Sequence, residues 1–189
     1  MRQIITKKIS FEKSFYYFRK DKNVYNSFDC HTNTYVSFFE KNYEEVESRE
    51  NDFKYVTGLM AYDDGENKYC VIHSWVEDKG MIIDTTSLAN SQLKAIDTYS
   101  DDIVREIKNL LDKNICYIPY LSLSNTEFTA KCQELFIQCG YNQEKALKAI
   151  ENYLISIAQC IEKDKRFLLE VKNTIRYEFK EGNFHIEIK

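Results

Sequence analysis

Residues 73–86, HSWVEDKGMIIDTT, are the stretch of sequence that decides the fold. Apolar, β-branched and aromatic residues on both sides of DKG predict two antiparallel strands that are joined by a tight turn. An earlier run of the same kind, residues 55–62, is separated from residues 69–77 by DDGEN, which also favours a turn. The three runs, 55–62, 69–77 and 81–85, therefore predict an antiparallel β-meander.

Helices are predicted on both sides of this meander. Apolar side chains recur at three- and four-residue steps after residue 29, which predicts an amphipathic helix of about five turns that begins near Cys30. Asp29 is the expected N-cap of this helix. A short helix is expected near residues 11–18, and Ser100 is a suitable N-cap for a helix that follows the meander.

The C-terminal half of the chain has mainly helical patterns. After an extended stretch around Pro119, residues 126–163 predict a helical hairpin in which Gly140 ends the first helix and Asn142 opens the second. Residues 177–189 alternate apolar and polar residues around EGN, which predicts a closing β-hairpin. The expected fold class is α+β, with the cysteine-led helix packed on an antiparallel sheet and a helical C-terminal half.

Composition and charge exclude several classes of protein. With 189 residues and 43% hydrophobic content, the chain is long enough for one compact domain, expected to span residues 1–189. Acidic and basic residues are interspersed and the net charge is only -4, so no basic surface for nucleic acid is predicted. No segment has the roughly 20 apolar residues of a membrane span, and no export signal is recognised, so a cytoplasmic location is expected.

The six cysteines are expected to be free thiols, because they form no C-x-x-C pair and the expected cytoplasmic location disfavours disulfides. Apart from Cys30, they need only be small core residues. A metal site formed by Cys30, His31, Cys70 and His73 is disfavoured, because adjacent residues such as Cys30 and His31 do not readily converge on one ion. Neither a metal nor a cofactor is expected.

Three side chains provide the groups that thiol acyl transfer needs, namely a thiolate, a base and a group that orients the base. Cys30 lies at a predicted helix N-terminus, where free N–H groups and the helix dipole favour the thiolate. His73 and Asp84 lie on neighbouring predicted strands. These three residues are the candidate catalytic triad.

The geometry of His73 and Asp84 depends on the turn between their strands. If Val76 pairs with Met81, His73 lies directly opposite Asp84, with Cβ atoms about 5 Å apart. The carboxylate then holds one ring nitrogen of His73 and the other faces the cysteine. A three-residue turn with a bulge at Gly80 would instead place the two side chains on opposite faces.

The segment HSWVEDKGMIIDTT resembles the H-x-W…G…D-x-T stretch of transglutaminase-like proteins, in which His and Asp on neighbouring strands complete a triad with a cysteine at a helix N-terminus. Together with FDCHTN at 28–33 and YVTG at 55–58, it is more closely similar to a group of small, poorly characterised bacterial and phage proteins. Those proteins share C-x-x-N, Y-V-x-G and H-x-W…D-x-T. The resemblance covers residues 30–85 and implies a papain- or transglutaminase-like fold and thiol hydrolase chemistry.

Residue by residue, the resemblance implies that Cys30 is the nucleophile, His73 the base and Asp84 the group that fixes the tautomer of the base. Asn33 is either structural or acts near the nucleophile. No Gln or Trp immediately precedes Cys30, as one does in many papain-like or transglutaminase enzymes. The oxyanion hole is therefore unassigned, and the backbone N–H of Cys30 together with Asn26 is one candidate.

Three other ring residues have simpler expectations. Trp75 shares a strand face with His73 and is predicted to pack in the core beneath the imidazole. His31 and His185 have no partner that their spacing identifies, so exposed, solvated rings are expected for both.

These residues predict a cysteine-dependent acyl-transfer enzyme or hydrolase, such as a peptidase, amidase, deamidase or transglutaminase-like enzyme. The expected substrate is an amide or ester in a peptide, a protein or a small molecule. One alternative is a non-catalytic binding or inhibitory protein, of host–phage or toxin-like kind, that uses a groove between the Cys30 helix and the meander. Another is an interaction module in which the helical hairpin of residues 126–163 contacts a partner.

Overall fold

The computed structural model describes residues 6–45, 52–63, 68–178 and 184–186. Helices in this part are α1 (Phe11–Lys20), α2 (Cys30–Glu45), α3 (Thr85–Ala89), α4 (Asp101–Asn114), α5 (Asn125–Gln138), α6 (Gln143–Lys163) and α7 (Lys165–Glu178). The strands are β1 (Phe53–Asp63), β2 (Lys68–Asp78), β3 (Met81–Ile83), β4 (Ile115–Ser124) and β5 (Phe184–Ile186), and a 3₁₀ helix spans Gln92–Ala95. The predicted α+β class is confirmed.

A single sheet lies at the centre of the fold. β3, β2, β1 and β4 lie side by side in that order, each antiparallel to its neighbours, and β5 pairs with β2 in parallel. The predicted meander is confirmed as β1, β2 and β3. The stretch around Pro119 is β4, which extends the sheet on the far side of β1.

Helices cover both faces of the sheet. Neighbouring residues of a strand point to opposite faces, so they belong to different cores. Trp75 belongs to a core that includes residues of α1, α3 and α4, whereas Val76 belongs to a second core that includes residues of α5 and α6. Helix α2 packs against β2 and contributes Val36 to the first core and Phe38 to the second. The helix that begins with Cys30 is therefore held by packing in the cores on both faces of the sheet.

Aromatic rings hold α2 against the sheet. The Phe128 ring stacks on Tyr55, with centroids 4.3 Å apart, and meets Phe38 edge-on at 4.8 Å. All three side chains are buried. Because each buried ring of this size contributes about 1.5–3 kcal/mol to stability, this cluster fixes where the helix starts relative to β2.

A two-residue turn joins β2 to β3. Lys79 and Gly80 both have positive φ, 49° and 81°, as a type I′ hairpin turn requires. Val76 pairs with Ile83, so the predicted pairing of Val76 with Met81 is wrong by two residues. Side-chain direction repeats every two residues along a strand, so this error leaves every side chain on the predicted face.

The prediction that Asp84 lies on a strand is wrong. β3 ends at Ile83, and Asp84 is the N-cap of α3, where its side chain accepts hydrogen bonds from the backbone N–H groups of Thr86 and Ser87. The β-branched residues that begin α3 are typical of strands, which concealed this short helix in the sequence. The carboxylate is consequently fixed by backbone groups as well as by side chains.

Most predicted helix boundaries are confirmed. Helix α1 covers residues 11–18, and the side chain of Ser100 caps α4. Helix α5 ends just before Gly140, which has a φ of 62°, and the side chain of Asn142 caps α6. In the described part of the chain, no helix is both long enough and apolar enough to cross a membrane.

The predicted hairpin at the C-terminus is wrong at its first two residues. Residues 177 and 178 belong to α7, residues 179–183 lie outside the described ranges, and β5 pairs in parallel with β2. The period of α7 explains the error, because Phe167, Val171 and Ile175 recur every four residues and fill a third core against the sheet. The predicted EGN and DDGEN turns involve residues outside the described ranges.

Gly58 of β1 occupies a position where a side chain does not fit. It pairs with His73 on one side and lies at a β-bulge opposite Pro119 on the other. A Cβ atom there would be 2.1 Å from the Ile118 carbonyl oxygen and 2.9 Å from Cη2 of Trp75. The glycine thus lets β4 and the indole ring approach β1 closely beside His73.

Candidate active site

Cys30 is the first residue of α2, as predicted, and its side chain is half-buried. Asp29 caps the helix, because its carboxylate accepts a hydrogen bond from the Thr32 N–H at 3.3 Å and its carbonyl accepts one from the Asn33 N–H at 3.0 Å. The N–H groups of a first helical turn have no partner within the helix. The thiol therefore lies in a region of positive potential at the helix end.

The loop before Cys30 is tied to the end of α3. The Phe28 N–H donates to Oδ1 of Asn90 at 2.9 Å, and the Ser27 hydroxyl donates to the Ala89 carbonyl at 2.9 Å. Phe28 has a φ of 62°, in the left-handed region that ring-bearing residues rarely adopt, and its ring is 90% exposed. Phe28, two residues before the candidate nucleophile, thus combines an unfavourable backbone conformation with an exposed ring.

Asn33 connects the loop before Cys30 to α3 through hydrogen bonds. Its buried amide oxygen accepts from the Asn26 N–H at 2.8 Å, while its Nδ2 donates to the Asn26 carbonyl at 2.6 Å and to Oγ1 of Thr86 at 3.0 Å. All of these bonds are directed at the loop and at α3. Asn33 therefore positions the start of α2. Because the Asn26 N–H is already occupied, only the exposed side chain of Asn26 is left for the predicted oxyanion role.

His73 and Asp84 form the predicted pair. Nε2 of His73 lies 2.8 Å from Oδ2 of Asp84, and both side chains are buried. The Cys30 thiol also interacts with this ring and raises its pKa, and Nδ1 is the ring nitrogen left to face the sulfur. The predicted order of thiol, imidazole and carboxylate is therefore present in space.

The groups around the His73 ring favour its protonated, charged form. Burial alone would lower the pKa of the imidazole, but the charge and hydrogen bond of Asp84, together with Cys30, outweigh burial and raise it to about 10. At neutral pH the ring is therefore an imidazolium that donates one N–H to Asp84 and one toward Cys30.

Asp84 accepts hydrogen bonds on both oxygens. Oδ1 accepts the N–H groups of Thr86 and Ser87, and Oδ2 accepts from His73, from the Ser87 hydroxyl and, at 2.6 Å, from the Tyr117 hydroxyl. Burial would raise the pKa of this carboxyl, but the charge of His73 and these hydrogen bonds lower it below its ordinary value. The side chain is therefore a fixed anion that orients the imidazole.

Tyr117 and Ser87 are site residues that the sequence did not reveal. Tyr117 lies on β4, two strands away from His73, and its hydroxyl donates a hydrogen bond to Asp84. Trp75 is buried, as predicted, and its indole stacks with His73 at 6.4 Å and meets the Tyr117 ring edge-on at 5.2 Å. Apolar rings thus keep water away from the imidazole–carboxylate pair.

His31 is not the exposed, solvated ring that was predicted. Its side chain is half-buried, and its Nδ1 lies 2.8 Å from the hydroxyl oxygen of Ser74. Burial, followed by the positive charge of His73, lowers the pKa of His31 to about 4, so this ring is neutral at pH 7. The expectation for His185 concerns a side chain that the structure does not describe.

Two adjoining clefts lie between α2 and the helical hairpin of α5 and α6. The first, of about 340 Å³, lies between the first turns of α2, at His31 and Thr32, and the side of α6. The second, of about 530 Å³, lies between α2, α5 and α6. They share Tyr35, Leu147 and Ile150. Both clefts are bounded by α2 and the helical hairpin, whereas the predicted groove lies between α2 and the meander.

All six cysteines are free thiols, as predicted. Cys70, Cys116 and Cys132 are buried, but Cys160 is exposed and Cys139 is half-buried, so the expectation of five core cysteines is wrong for those two. Among the described residues, no group of three or more His, Cys, Asp or Glu side chains is arranged to hold a metal ion.

Comparison with known protein families, with curated proteins and with solved structures found no match to this chain. The interpretation of the site therefore depends on its geometry. A thiol at a helix N-terminus, an imidazole and an anchored carboxylate are together the set of groups that nucleophilic thiol chemistry requires.

Proposed function

We propose that this chain is a cysteine-dependent acyl-transfer enzyme or hydrolase with a papain- or transglutaminase-like arrangement of its catalytic residues. The observation that carries the proposal is the position of the His73 ring, whose Nε2 lies 2.8 Å from Asp84 and which interacts with the thiol of Cys30 at the start of α2. Cys30 is the nucleophile, His73 the acid and base, and Asp84 the group that orients it. The substrate is an amide or an ester in a peptide, a protein or a small molecule.

The chemistry follows from the charges at the site. The Cys30 thiolate attacks the carbonyl carbon, a C–S bond forms and the carbonyl π electrons move to oxygen. When the tetrahedral intermediate collapses, the C–N or C–O bond breaks, and the leaving group receives a proton from the His73 imidazolium. In hydrolysis, water then attacks the thioester, neutral His73 accepts its proton and the thiolate leaves. In transfer, an amine or hydroxyl group replaces the water.

The relative reactivity of the cysteines tests this proposal. Alkylation by iodoacetamide at about pH 7, followed by peptide mass mapping, gives a separate rate for each thiol. Cys160 is the internal reference, because it is exposed on α6. We expect Cys30 to react at least about tenfold faster than Cys160 although it is less exposed, because its thiolate is stabilised by His73 and the helix end.

The variant His73→Gln identifies the source of the enhancement. We expect it to reduce the rate at Cys30 to that of an ordinary half-buried thiol while the rate at Cys160 stays unchanged. A circular dichroism spectrum that matches the wild type ensures that the fold is retained. Equal rates at Cys30 and Cys160 in the wild-type protein would rule out an activated nucleophile.

A non-catalytic binding or inhibitory protein on the same scaffold is the second candidate. The cleft between α2, α5 and α6 favours it, because side chains such as Phe136, Ile137 and Leu147 give this cleft a largely apolar lining that includes none of the triad residues. The variant Cys30→Ser separates the two functions. It abolishes product formation by an enzyme but leaves unchanged the affinity of a protein that acts only by binding.

A further inference from the structure

His31 lies at the junction between the nucleophile and the first cleft. It follows Cys30 directly in the first turn of α2, and its ring lines the cleft of about 340 Å³ between α2 and α6. Its Nδ1 is engaged by Ser74, so Nε2 is the ring nitrogen that remains for a group bound in the cleft. That nitrogen is therefore the one available to a substrate that extends from this cleft to the neighbouring Cys30.

The hydrogen bonds behind His31 allow its ring proton to lie on Nε2. Ser74 lies 2.8 Å from Nδ1 of His31 and 2.9 Å from the hydroxyl of Thr57, and both hydroxyl residues are buried. Each hydroxyl brings one hydrogen that needs an acceptor. If Thr57 donates to Ser74 and Ser74 donates to Nδ1, both hydrogens are satisfied. The proton of the neutral ring is then on Nε2, which makes that atom a donor toward the cleft.

The two histidines of the site are suited to different tasks. His73 is held as a cation by Asp84 and can exchange a proton with the leaving group, whereas His31 is held neutral by burial and by its cationic neighbour. Environments that separate two titratable groups in this way are typical of catalytic sites with divided roles. A neutral imidazole that donates from Nε2 stabilises a developing negative charge on oxygen without releasing its proton.

We propose that His31 is a catalytic residue that donates a hydrogen bond from Nε2 to the substrate carbonyl oxygen, and so forms the oxyanion hole together with the backbone N–H of Cys30. This inference rests on the proposed function of Cys30. As the C–S bond forms, the carbonyl π electrons move to the oxygen and the two donors hold the resulting oxyanion. As the carbonyl re-forms, the electron pair returns and the bond to the leaving group breaks.

Two reagents distinguish this role from a structural one. Acylation of Cys30 by p-nitrophenyl acetate passes through an oxyanion, whereas alkylation by iodoacetamide is a direct displacement that forms none. We compare the rates of both reactions in the wild type, in His31→Leu, which has no donor, and in His31→Gln, whose side-chain amide can place an N–H near the position of Nε2. The alkylation rate also reports whether Cys30 and His73 remain intact in each variant.

For His31→Leu we expect acylation to slow by about 10²–10³-fold while alkylation of Cys30 changes by less than about threefold. His31→Gln should recover most of the lost acylation rate. Acylation that persists in His31→Leu, or an equal loss of both reactions, overturns the oxyanion role and leaves the nucleophile in place. A wild-type protein whose Cys30 is not acylated overturns the proposed function and this inference with it.

Discussion

Two histidines with opposite charge states define the chemistry of this site at the scale of single residues. The charge of His73 acts on His31, the residue that follows Cys30, and His73 itself interacts with the Cys30 thiol. Asp84 determines which of them carries the charge, because its anion contacts only His73 of the two rings. His31 has hydroxyl groups behind it instead. The division of roles between two residues of the same type therefore comes from their partners.

The protonation of His73 predicts a specific dependence of stability on pH. Its pKa is about 10 in the folded protein, above about 6.5 in an unfolded chain. A raised pKa stabilises the fold fully below about pH 6.5, and this contribution is lost as the pH rises toward 10. We therefore expect the difference in unfolding free energy between the wild type and His73→Gln, measured in urea, to shrink from about pH 6.5 to 10.

The corresponding variant of His31 is the control, because its shift has the opposite sign. The folded-state pKa of His31 is about 4, so its contribution is present above about pH 6.5 and is lost as the pH falls toward 4. The difference between the wild type and His31→Gln should thus shrink on the acid side. A difference for His73→Gln that stays constant between pH 6.5 and 10 would show that the His73–Asp84 pair is not ionic.

At the scale of secondary structure elements, the site is formed where two helix N-termini meet the middle of a strand. Asp84 caps α3 and Asp29 caps α2, and the intervening β2 carries His73. A capping carboxylate already has two backbone partners on one oxygen, so its other oxygen is presented in a fixed direction. Helix capping and orientation of the imidazole are therefore two consequences of one buried side chain.

The elements that the sequence predicted well are those with strong local signals. Helix α2 and its cap, the β2–β3 turn and the α5–α6 hairpin follow from periodicity, turn residues and capping residues, which are local properties. Cys30 and His73 belong to such elements, whereas Asp84 caps α3, a short helix that the sequence did not reveal. The error of two residues in the register had no consequence for the face that His73 occupies.

The parts of the site that were missed depend on contacts between elements distant in sequence. Tyr117 reaches Asp84 from a strand 33 residues further along the chain. Ser74 engages His31 across the interface between β2 and α2, 43 residues apart. No local pattern marks such partners, because a tyrosine or serine with this role has the same neighbours in sequence as one without it. Position in the fold alone distinguishes them.

Gly58 lies where β4 and Trp75 come close to β1 beside His73. Its substitution therefore tests whether this close packing positions the site. Gly58→Ala places a methyl group against the Ile118 carbonyl and the Trp75 ring, both of which are fixed in the core. We expect the free energy of unfolding to fall by about 3 kcal/mol or more, since relief requires β4 to move. The alkylation rate of Cys30 should fall as well, because Trp75 packs beside His73.

Gly140→Ala is the matched control for this substitution. Gly140 has a φ of 62°, but an added Cβ would meet no atom within 4 Å. We therefore expect the free energy of unfolding to fall by about 1 kcal/mol, the cost of placing alanine in the left-handed region. The alkylation rate of Cys30 should not change. Urea unfolding of both variants provides the comparison. If the two glycines prove equally replaceable, close approach of β4 is not what positions Trp75.

At the scale of the whole molecule, α2 connects the catalytic residues to the C-terminal helices. One end of this helix carries Cys30, and its side carries Tyr35, which lines both clefts together with Leu147 of α6. The sheet holds the base and the carboxylate on one side of α2, while α5 and α6 form the walls of the clefts on the other. If the proposed function is correct, the helical half of the chain supplies a surface for an acyl donor.

This arrangement predicts selectivity for the chain length of the acyl group. Leu147 is 46% exposed and borders both clefts, so it can contact an aliphatic chain that extends from Cys30. Leu147→Ser removes most of that apolar contact, which is equivalent to losing about one to two buried methylene groups or about tenfold in rate. We expect acylation by p-nitrophenyl octanoate to slow by about that factor, while acylation by p-nitrophenyl acetate is unchanged.

Leu169→Ser is the control, because Leu169 is a similarly exposed leucine on α7 that borders neither cleft. Both substitutions remove the same side chain from the surface, so a general effect on solubility or stability would appear in both. Selective slowing of the long ester in Leu147→Ser alone would place the acyl group between α2 and α6. If both leucine variants hydrolyse the two esters alike, the acyl donor approaches Cys30 from another direction, and the side of the exposed Phe28 ring becomes the next surface to test.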